Sequence, residues 1–361
     1  MLKIGLILSS PSPHQEDFLN ALAQRSDVDA FIGYVQPINR NRHWGRPTPN
    51  LRWENLPSSP RAVLNGSLHR WLSDRPADVW LLSSAYTQLA THAVARSLRR
   101  LQQPFAFLAE PPRPSTGGKA FLQRLLVRSI VNRADAVLGT GTEAARRYRR
   151  ITGGLKPVES LPYYVDMARQ LATDTVACPD AGEPFRFVAS AQLIHRKGLD
   201  VLLAACERLP TDGWTLDIFG DGPLREKLQE RAMEIGRPIT FHGLLPYERK
   251  HEAFAGRHCF VFSTRWDGWG MVLPEALAMG LPVISTDQAM SAHDFITPAN
   301  GQIIPADNAS RLAQAMQHAM STQQNLPQQS IAAKEALANY RPELGAERLV
   351  TVLSAMAGKA A

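Results

Sequence analysis

The sequence predicts an α/β protein built as two parallel-sheet domains in tandem. Three observations carry that expectation. Short apolar, β-branched runs alternate with amphipathic stretches of helical length, the pattern of parallel strands joined by crossover helices. The alternation runs through the first half, stops in the polar stretch "YYVDMARQLATDTVACPDAGEP", with prolines near its end, and then begins again. At 361 residues the chain is also too long for one ordinary core.

Taken in order, "KIGLIL", "DAFIGYV", "DVWLLS", "PFAFLA", "DAVLGT" and "PVESLP" read as strands. Helices are expected between them at 15–24, 61–72, 86–101, 120–132 and 142–151. The stretch 36–60 is long, basic and Pro-rich, and reads as a functional or disordered loop. The second half runs strand "FRFVASAQ", helix "KGLDVLLAACERL", strand "TLDIFG", helix "PLREKLQERAMEIG", strand "PITFHG" and helix "YERKHEAFAG". There follow strand "HCFVFST", a crowded turn, helix "MVLPEALAMG" and strand "LPVIST". Pro274 is tolerated in that helix's first turn, and Gly280 stands just past its end. "ASRLAQAMQHAMS" and the last thirty residues are helical. The expected bounds are a Rossmann-like domain at 1–165, a second at 166–335, and a C-terminal helix at 336–361 packing back toward the first.

Composition narrows the class. A 44% hydrophobic and 20% charged chain is globular, and no run of about eighteen apolar residues spans a membrane. The N-terminal apolar run is broken by Pro11 and Pro13, so it reads as a first strand rather than a signal peptide. Three widely spaced cysteines argue against a disulfide framework or a Cys-rich zinc site and fit a reducing cytoplasm. Charge is unevenly spread. Residues 1–165 hold 22 Lys and Arg against 11 Asp and Glu, and the remainder 18 against 22. A basic first half suits an anionic partner, and the absence of any nucleic-acid-binding signature makes nucleic acid the weakest choice.

The turn before "MVLPEALAMG" is the richest stretch. "DGWG" (267–270) stands where a strand ends and a helix begins, so the first helical N–H groups face outward as an anion site. Gly268 and Gly270 allow close backbone approach. Asp267 and Glu275, eight apart, can both point at one ligand. The plainer reading is a glycine turn with a capping acid. Three more strand ends contribute. "SAQLIHRKGLD" brings Arg196 and Lys197 to a helix start, as a diphosphate site or as a solvated charged pair. "FGDGPLREKL" is a tight connection. "FHGLLPYERK" sets Gly243 and Leu244 where a base can lie against the chain.

In this order the stretches resemble the retaining GT-B glycosyltransferases of family 4. That family shows an R/K-K-G loop, then G-D-G-P-L, then a G-x-[V/L]-P strand end. An acid-G-[F/W]-G block with E-A-[L/M]-A-x-G-x-P-V follows, here "DGWGMVLPEALAMGLPV". The resemblance covers most of the second domain and extends weakly over the first. It implies a GT-B fold, two Rossmann-like domains facing each other across a cleft, with donor on the second and acceptor on the first. It implies that Glu275 bonds the ribose, Asp267 holds sugar hydroxyls, and Arg196 and Lys197 bind the diphosphate. The N–H groups of Gly270, Met271 and Val272 complete the phosphate cradle, and no metal or other cofactor is needed. Glu110 is a candidate near the reacting centre. The chain departs from the family at Asp267 (usually Glu), Gln192 (often Arg), "SSPSPHQ" (often Gly-Gly) and Ala109 (His in some relatives).

"KAFLQRLLVRSIVNR" sets Phe121, Leu122, Leu125, Leu126 and Val131 beside Arg124, Arg128 and Arg133. With "ARRYRR" it resembles an interfacial surface drawn to anionic lipid; the alternative is an ordinary packed helix. The leading expectation is therefore a cytoplasmic glycosyltransferase at the inner face of the cell membrane. It would move a sugar from a nucleotide-diphosphosugar to a surface-glycan or lipid-linked acceptor, as in lipopolysaccharide synthesis. A nucleotide-sugar-binding protein without transfer activity is the alternative. A dinucleotide oxidoreductase is disfavoured, since no G-x-G-x-x-G follows the first strand of either half.

Overall fold

The structure is a computed structural model and describes residues 1–36, 50–167 and 176–358. It divides into two compact units, residues 1–166 with 340–361, and residues 167–339.

In the first unit the described residues form a parallel sheet of β1 (Leu2–Leu8), β2 (Val28–Tyr34), β3 (Arg52–Asn55), β4 (Val79–Ser83), β5 (Phe105–Ala109), β6 (Ala136–Gly139) and β7 (Val158–Ser160). Their spatial order is β3-β2-β1-β4-β5-β6-β7. The chain thus starts mid-sheet, fills one side, and returns beside β1 to fill the other. The helices are α1 (Pro13–Ala23), α2 (Pro60–Leu64), α3 (Ser67–Ser73), α4 (Leu89–Arg100), α5 (Gly117–Val131) and α6 (Thr142–Thr152). One core packs Trp71, Trp80, Phe105, Phe107 and Tyr148. A second packs Leu6, Leu22, Ile32 and Leu81 with Leu349 and Leu353 of the C-terminal helix (Pro342–Met356). Tyr340 stacks on Tyr164, and Arg348 donates to the Tyr164 hydroxyl at 3.1 Å, so that helix is anchored to the first unit.

The second unit repeats the plan with β8 (Phe185–Ser190), β9 (Trp214–Phe219), β10 (Ile239–Gly243), β11 (Cys259–Phe262), β12 (Val283–Thr286) and β13 (Gly301–Ile304). The order is β10-β9-β8-β11-β12-β13, all parallel. Around it lie α7 (Leu199–Cys206), α8 (Arg225–Ile235), α9 (Val272–Ala278), α10 (Ala292–Phe295), α11 (Ala309–Ser321) and α12 (Leu326–Glu335). Phe187, Trp214, Leu216 and Ile218 of the sheet bury against Leu202 of α7 and Met316 of α11. Strands buried on both faces are apolar almost throughout, which is why they stood out in the sequence.

Four expectations are corrected. The stretch 36–60 is not loop throughout, because Arg52–Asn55 pairs in parallel with β2 as the sheet edge; residues 37–49 lie outside the described residues. The helix expected at 61–72 is two, parted at Asn65–Gly66, where glycine weakens helix. "YERKHEAFAG" forms a 3₁₀ segment (Tyr247–Ala253) rather than an α-helix, closed by i→i+3 bonds such as Arg249 N–H to the Pro246 carbonyl. Finally, α5 divides the apolar set proposed for a lipid surface. Val131 is buried with Val127 and Ile130, while Phe121, Leu122 and Leu125 remain 66, 56 and 50% exposed.

Candidate active site

Strand order reverses between β8 and β11, so the crevice beyond their carboxyl ends is where an α/β sheet binds ligands. The loop after β8 ends in a 3₁₀ turn, His195–Lys197, and then Gly198, whose φ of +67° suits glycine. A Cβ on Gly198 would come within 2.1 Å of the Ser263 carbonyl oxygen, so only glycine lets this loop lie against the end of β11. The contact is then sealed by hydrogen bonds to the loop's backbone carbonyls. Arg265 N–H donates to the Arg196 carbonyl at 2.8 Å, as does the Thr264 hydroxyl at 3.1 Å, and Ser263 Oγ donates to the Lys197 carbonyl at 3.3 Å.

This docking brings three of the expected residues together. Lys197 Nζ bonds the Asp267 carboxylate, and the Arg196 guanidinium reaches the same oxygen at 3.4 Å and the Trp266 carbonyl at 2.7 Å. All three side chains are at least seven-tenths buried. Lys197 also stands 5.0 Å above the Phe262 ring. Two cations and one carboxylate leave a net positive charge in a partly desolvated place, where an anion gains most. Asp267 is fixed in turn: its N–H donates to the Gln288 carbonyl, its carbonyl accepts from Met290 N–H, and its Oδ1 accepts from Trp269 N–H at 3.3 Å.

The helix start lies just beyond. Gly270 has φ +91°, and a Cβ there would meet the Phe262 ring at 2.8 Å. Among the described residues nothing accepts from the N–H groups of Gly270, Met271 and Val272, which leaves these donors available. One turn on, Glu275 is 8% exposed, and Lys250 Nζ donates to its Oε1 at 2.9 Å. Burial raises the Glu275 pKa above the usual carboxylate value, and Lys250 opposes that shift. Glu275 and Asp267 therefore have separate cationic partners. Gly243 closes β10 with φ +83° and accepts from Gly220 N–H at 2.7 Å; the Arg225 guanidinium covers the place of its missing Cβ at 3.2 Å, and Leu244 is exposed. Glu110 belongs to the first unit, where its carboxylate accepts from the Tyr163 hydroxyl at 3.2 Å and its carbonyl from Tyr148 at 3.0 Å. No three His, Cys, Asp or Glu side chains cluster as metal ligands among the described residues.

Two residues of this region escaped the sequence reading. Lys250 is one. Arg265 is the other: its guanidinium donates to both Asp200 carboxylate oxygens at 2.8 Å, to Asp307 at 2.5 Å and to the His195 carbonyl at 2.8 Å. It ties together the loops that follow β8, β11 and β13. Its hydrogen bond to Asp200 holds that carboxyl below its ordinary pKa. An arginine directly after a strand and before an Asp-Gly turn was the available signal.

Residues 179–336 match the family described as glycosyl transferases group 1. The chain is 29% identical over 142 residues, 38% of its length, to the uncharacterized glycosyltransferase MJ1059 of Methanocaldococcus jannaschii, and spans 35% of that protein. It is 23% identical over 316 residues to the lipopolysaccharide core biosynthesis mannosyltransferase LpsB of Rhizobium meliloti, covering 83% of this chain and 86% of LpsB. Among solved structures, Anabaena HepE in complex with UDP superposes with a TM-score of 0.78 at 14% identity, over 98% of this chain and 100% of that one.

Proposed function

We propose that this chain, which has the GT-B fold and matches the group 1 glycosyltransferases over residues 179–336, transfers a sugar, with retention, from a nucleotide-diphosphosugar to a surface-glycan or lipid-linked acceptor. The observation that carries the proposal is the net positive Arg196–Lys197–Asp267 cluster beside the available N–H groups of 270–272. As the sugar–oxygen bond breaks, the sugar carbon gains oxocarbenium character and the diphosphate gains charge. Arg196, Lys197 and the amides meet that charge already in position, without a metal. Asp267 gives up its hold on the cations to the diphosphate and turns its acceptors to sugar hydroxyls. Glu275, kept in place by Lys250, accepts from the ribose hydroxyls, and Gly243 and Leu244 lie against the base. Glu110 of the first unit is the candidate carboxylate near the reacting centre.

The acceptor class is supported by the relatives named for lipopolysaccharide core synthesis. A peripheral place on the cytoplasmic membrane face is supported by the exposed Phe121, Leu122 and Leu125 beside Arg124 and Arg128 on α5. No helix among the described residues is long and apolar enough to cross a membrane. The test is direct. UDP-, GDP- and ADP-sugars are incubated with candidate acceptors and the products weighed by mass spectrometry, alongside thermal shifts with UDP, GDP and ADP. Transfer from one donor class, with stabilisation by the matching diphosphate, is expected. Stabilisation without any transfer would support the binding-protein alternative, and no stabilisation by any nucleotide would overturn the reading.

A further inference from the structure

The rule that locates the cation cluster of the second unit also singles out a place in the first. There the strand order reverses between β1 and β4. A pocket of about 40 Å³ opens at that point, against Leu6 and Leu8 of β1, Leu81 and Ser83 of β4, and Gln15 and Phe18 of α1. Its chemistry is the reverse of the other crevice. Among the described residues no Lys, Arg, Asp or Glu lines it, and its walls are mostly leucine and aromatic carbon, with His14, Ser83 and Pro162 beside them. Among the described residues the buried Gln15 Oε1 has no hydrogen-bond partner.

We propose that this crevice takes an uncharged hydrocarbon part of the acceptor, with Gln15 accepting a hydrogen bond from a hydroxyl at its mouth. The proposal rests on the transferase reading above and deepens its acceptor side. A phosphate or carboxylate meets no Lys or Arg among the described residues here and loses its hydration on entry. An apolar void leaves its wall atoms short of contact partners, so methylenes that fill it gain both burial and packing. A pocket of this size has room for roughly three groups the size of water or methylene. The orphaned Gln15 oxygen costs free energy until a ligand donor pairs it. Apolar walls with one waiting acceptor match an alkyl stem that ends in a hydroxylated group.

The experiment is an NMR titration of the full chain with methyl, propyl and hexyl β-glucoside. Each methylene buried in the crevice raises affinity roughly three- to fourfold, so propyl should bind roughly tenfold tighter than methyl. The gain should then level off, because hexyl outgrows the space. Leucine methyl shifts should move at Leu6 and Leu81 and not at Leu202 or Leu312. Leu81→Phe fills the pocket and should abolish the chain-length gain while leaving thermal shifts with UDP, GDP and ADP unchanged. If Leu81→Phe does not fold, Gln15→Leu at a half-buried position carries the test. It should weaken all three glucosides by a common factor and keep the gain from methyl to propyl. Equal affinity for methyl and propyl glucoside overturns the proposal. So does a gain that continues through hexyl, as at an open surface, or one that survives Leu81→Phe, or unchanged affinities in Gln15→Leu. These results leave nucleotide binding by the second unit standing. Loss of nucleotide binding beside an intact alkyl gain would instead refute the donor reading.

Discussion

Arg265→Met separates positioning from stability. The guanidinium makes four bonds, to both Asp200 oxygens, to Asp307 and to the His195 carbonyl, and so anchors the loop that carries Arg196 and Lys197. Arg265 is 18% exposed, but Asp200 and Asp307 are 51 and 59% exposed, so solvent screens both pairs. Screened pairs are worth about 0–1 kcal/mol each, which gives a stability loss of about 0–2 kcal/mol, a few degrees in Tm at most. Turnover should suffer far more. Freed of its anchor, the cation loop shifts, and a displacement of about 1 Å at a catalytic group costs on the order of 10²-fold in rate. Arg265→Lys should recover little, since one ammonium cannot span two carboxylates and a carbonyl. The assay pairs thermal unfolding with initial rates of nucleoside diphosphate release. Full kcat/KM in a folded Arg265→Met would refute the reasoning, and a Tm loss beyond ten degrees or so would make Arg265 a scaffold residue instead.

Three further outcomes follow from the same structure. Glu275→Gln should weaken donor binding by about 1.5–3 kcal/mol while remaining folded; in Lys250→Met, where burial raises the Glu275 pKa unopposed, donor KM should fall as pH rises, a trend absent from Glu275→Gln, and flat profiles in both would remove the pair from the site. His258 is buried, and its Nδ1 accepts from Arg186 N–H at 2.9 Å; burial first, then Arg186 and Arg257, hold its pKa down to about 4 against 6.5. The folded chain keeps it neutral while the unfolded chain binds a proton, so its contribution is complete above pH 6.5 and about 3 kcal/mol is lost as pH falls through 4; urea unfolding at pH 7, 5 and 4 should show that slope and His258→Gln should reduce it, whereas equal slopes would contradict it. Replacing Arg124 and Arg128 by Gln should weaken sedimentation with anionic vesicles by about 1 kcal/mol per charge at low salt, and a neutral result would leave α5 an ordinary surface helix.

The parts legible in sequence were those with one dominant force. Apolar strands such as "FVFS" and "VIST" are buried, and hydrophobic pattern alone marks them. Arg52–Asn55 escaped because it is a polar edge strand, three of its four residues exposed, held by backbone bonds to β2 that leave no apolar trace. On α5 the sequence could not say which apolar residues face the core, because a basic helix with apolar residues on several sides fits both a packed and an interfacial surface; packing took Val127, Ile130 and Val131. The site was half legible. Arg196, Lys197 and Asp267 follow from motif spacing and do meet, but their mutual pairing needs the docking at Gly198. Lys250 and Arg265 carry no motif. Their partners Glu275, Asp200 and Asp307 lie 25, 65 and 42 residues away, and only the fold brings them close.

The most direct measurement compares wild type and Lys197→Ala for nucleoside diphosphate release and sugar transfer, with EDTA present throughout. Lys197 is 11% exposed and touches the group that the diphosphate is proposed to displace. Removing one preorganised charge contact of this kind costs on the order of 10²–10³ in rate. The account predicts wild-type transfer in chelator and a loss of that size in folded Lys197→Ala. Wild-type activity abolished by EDTA and restored by magnesium or manganese, or a Lys197→Ala variant as fast as wild type, would contradict it.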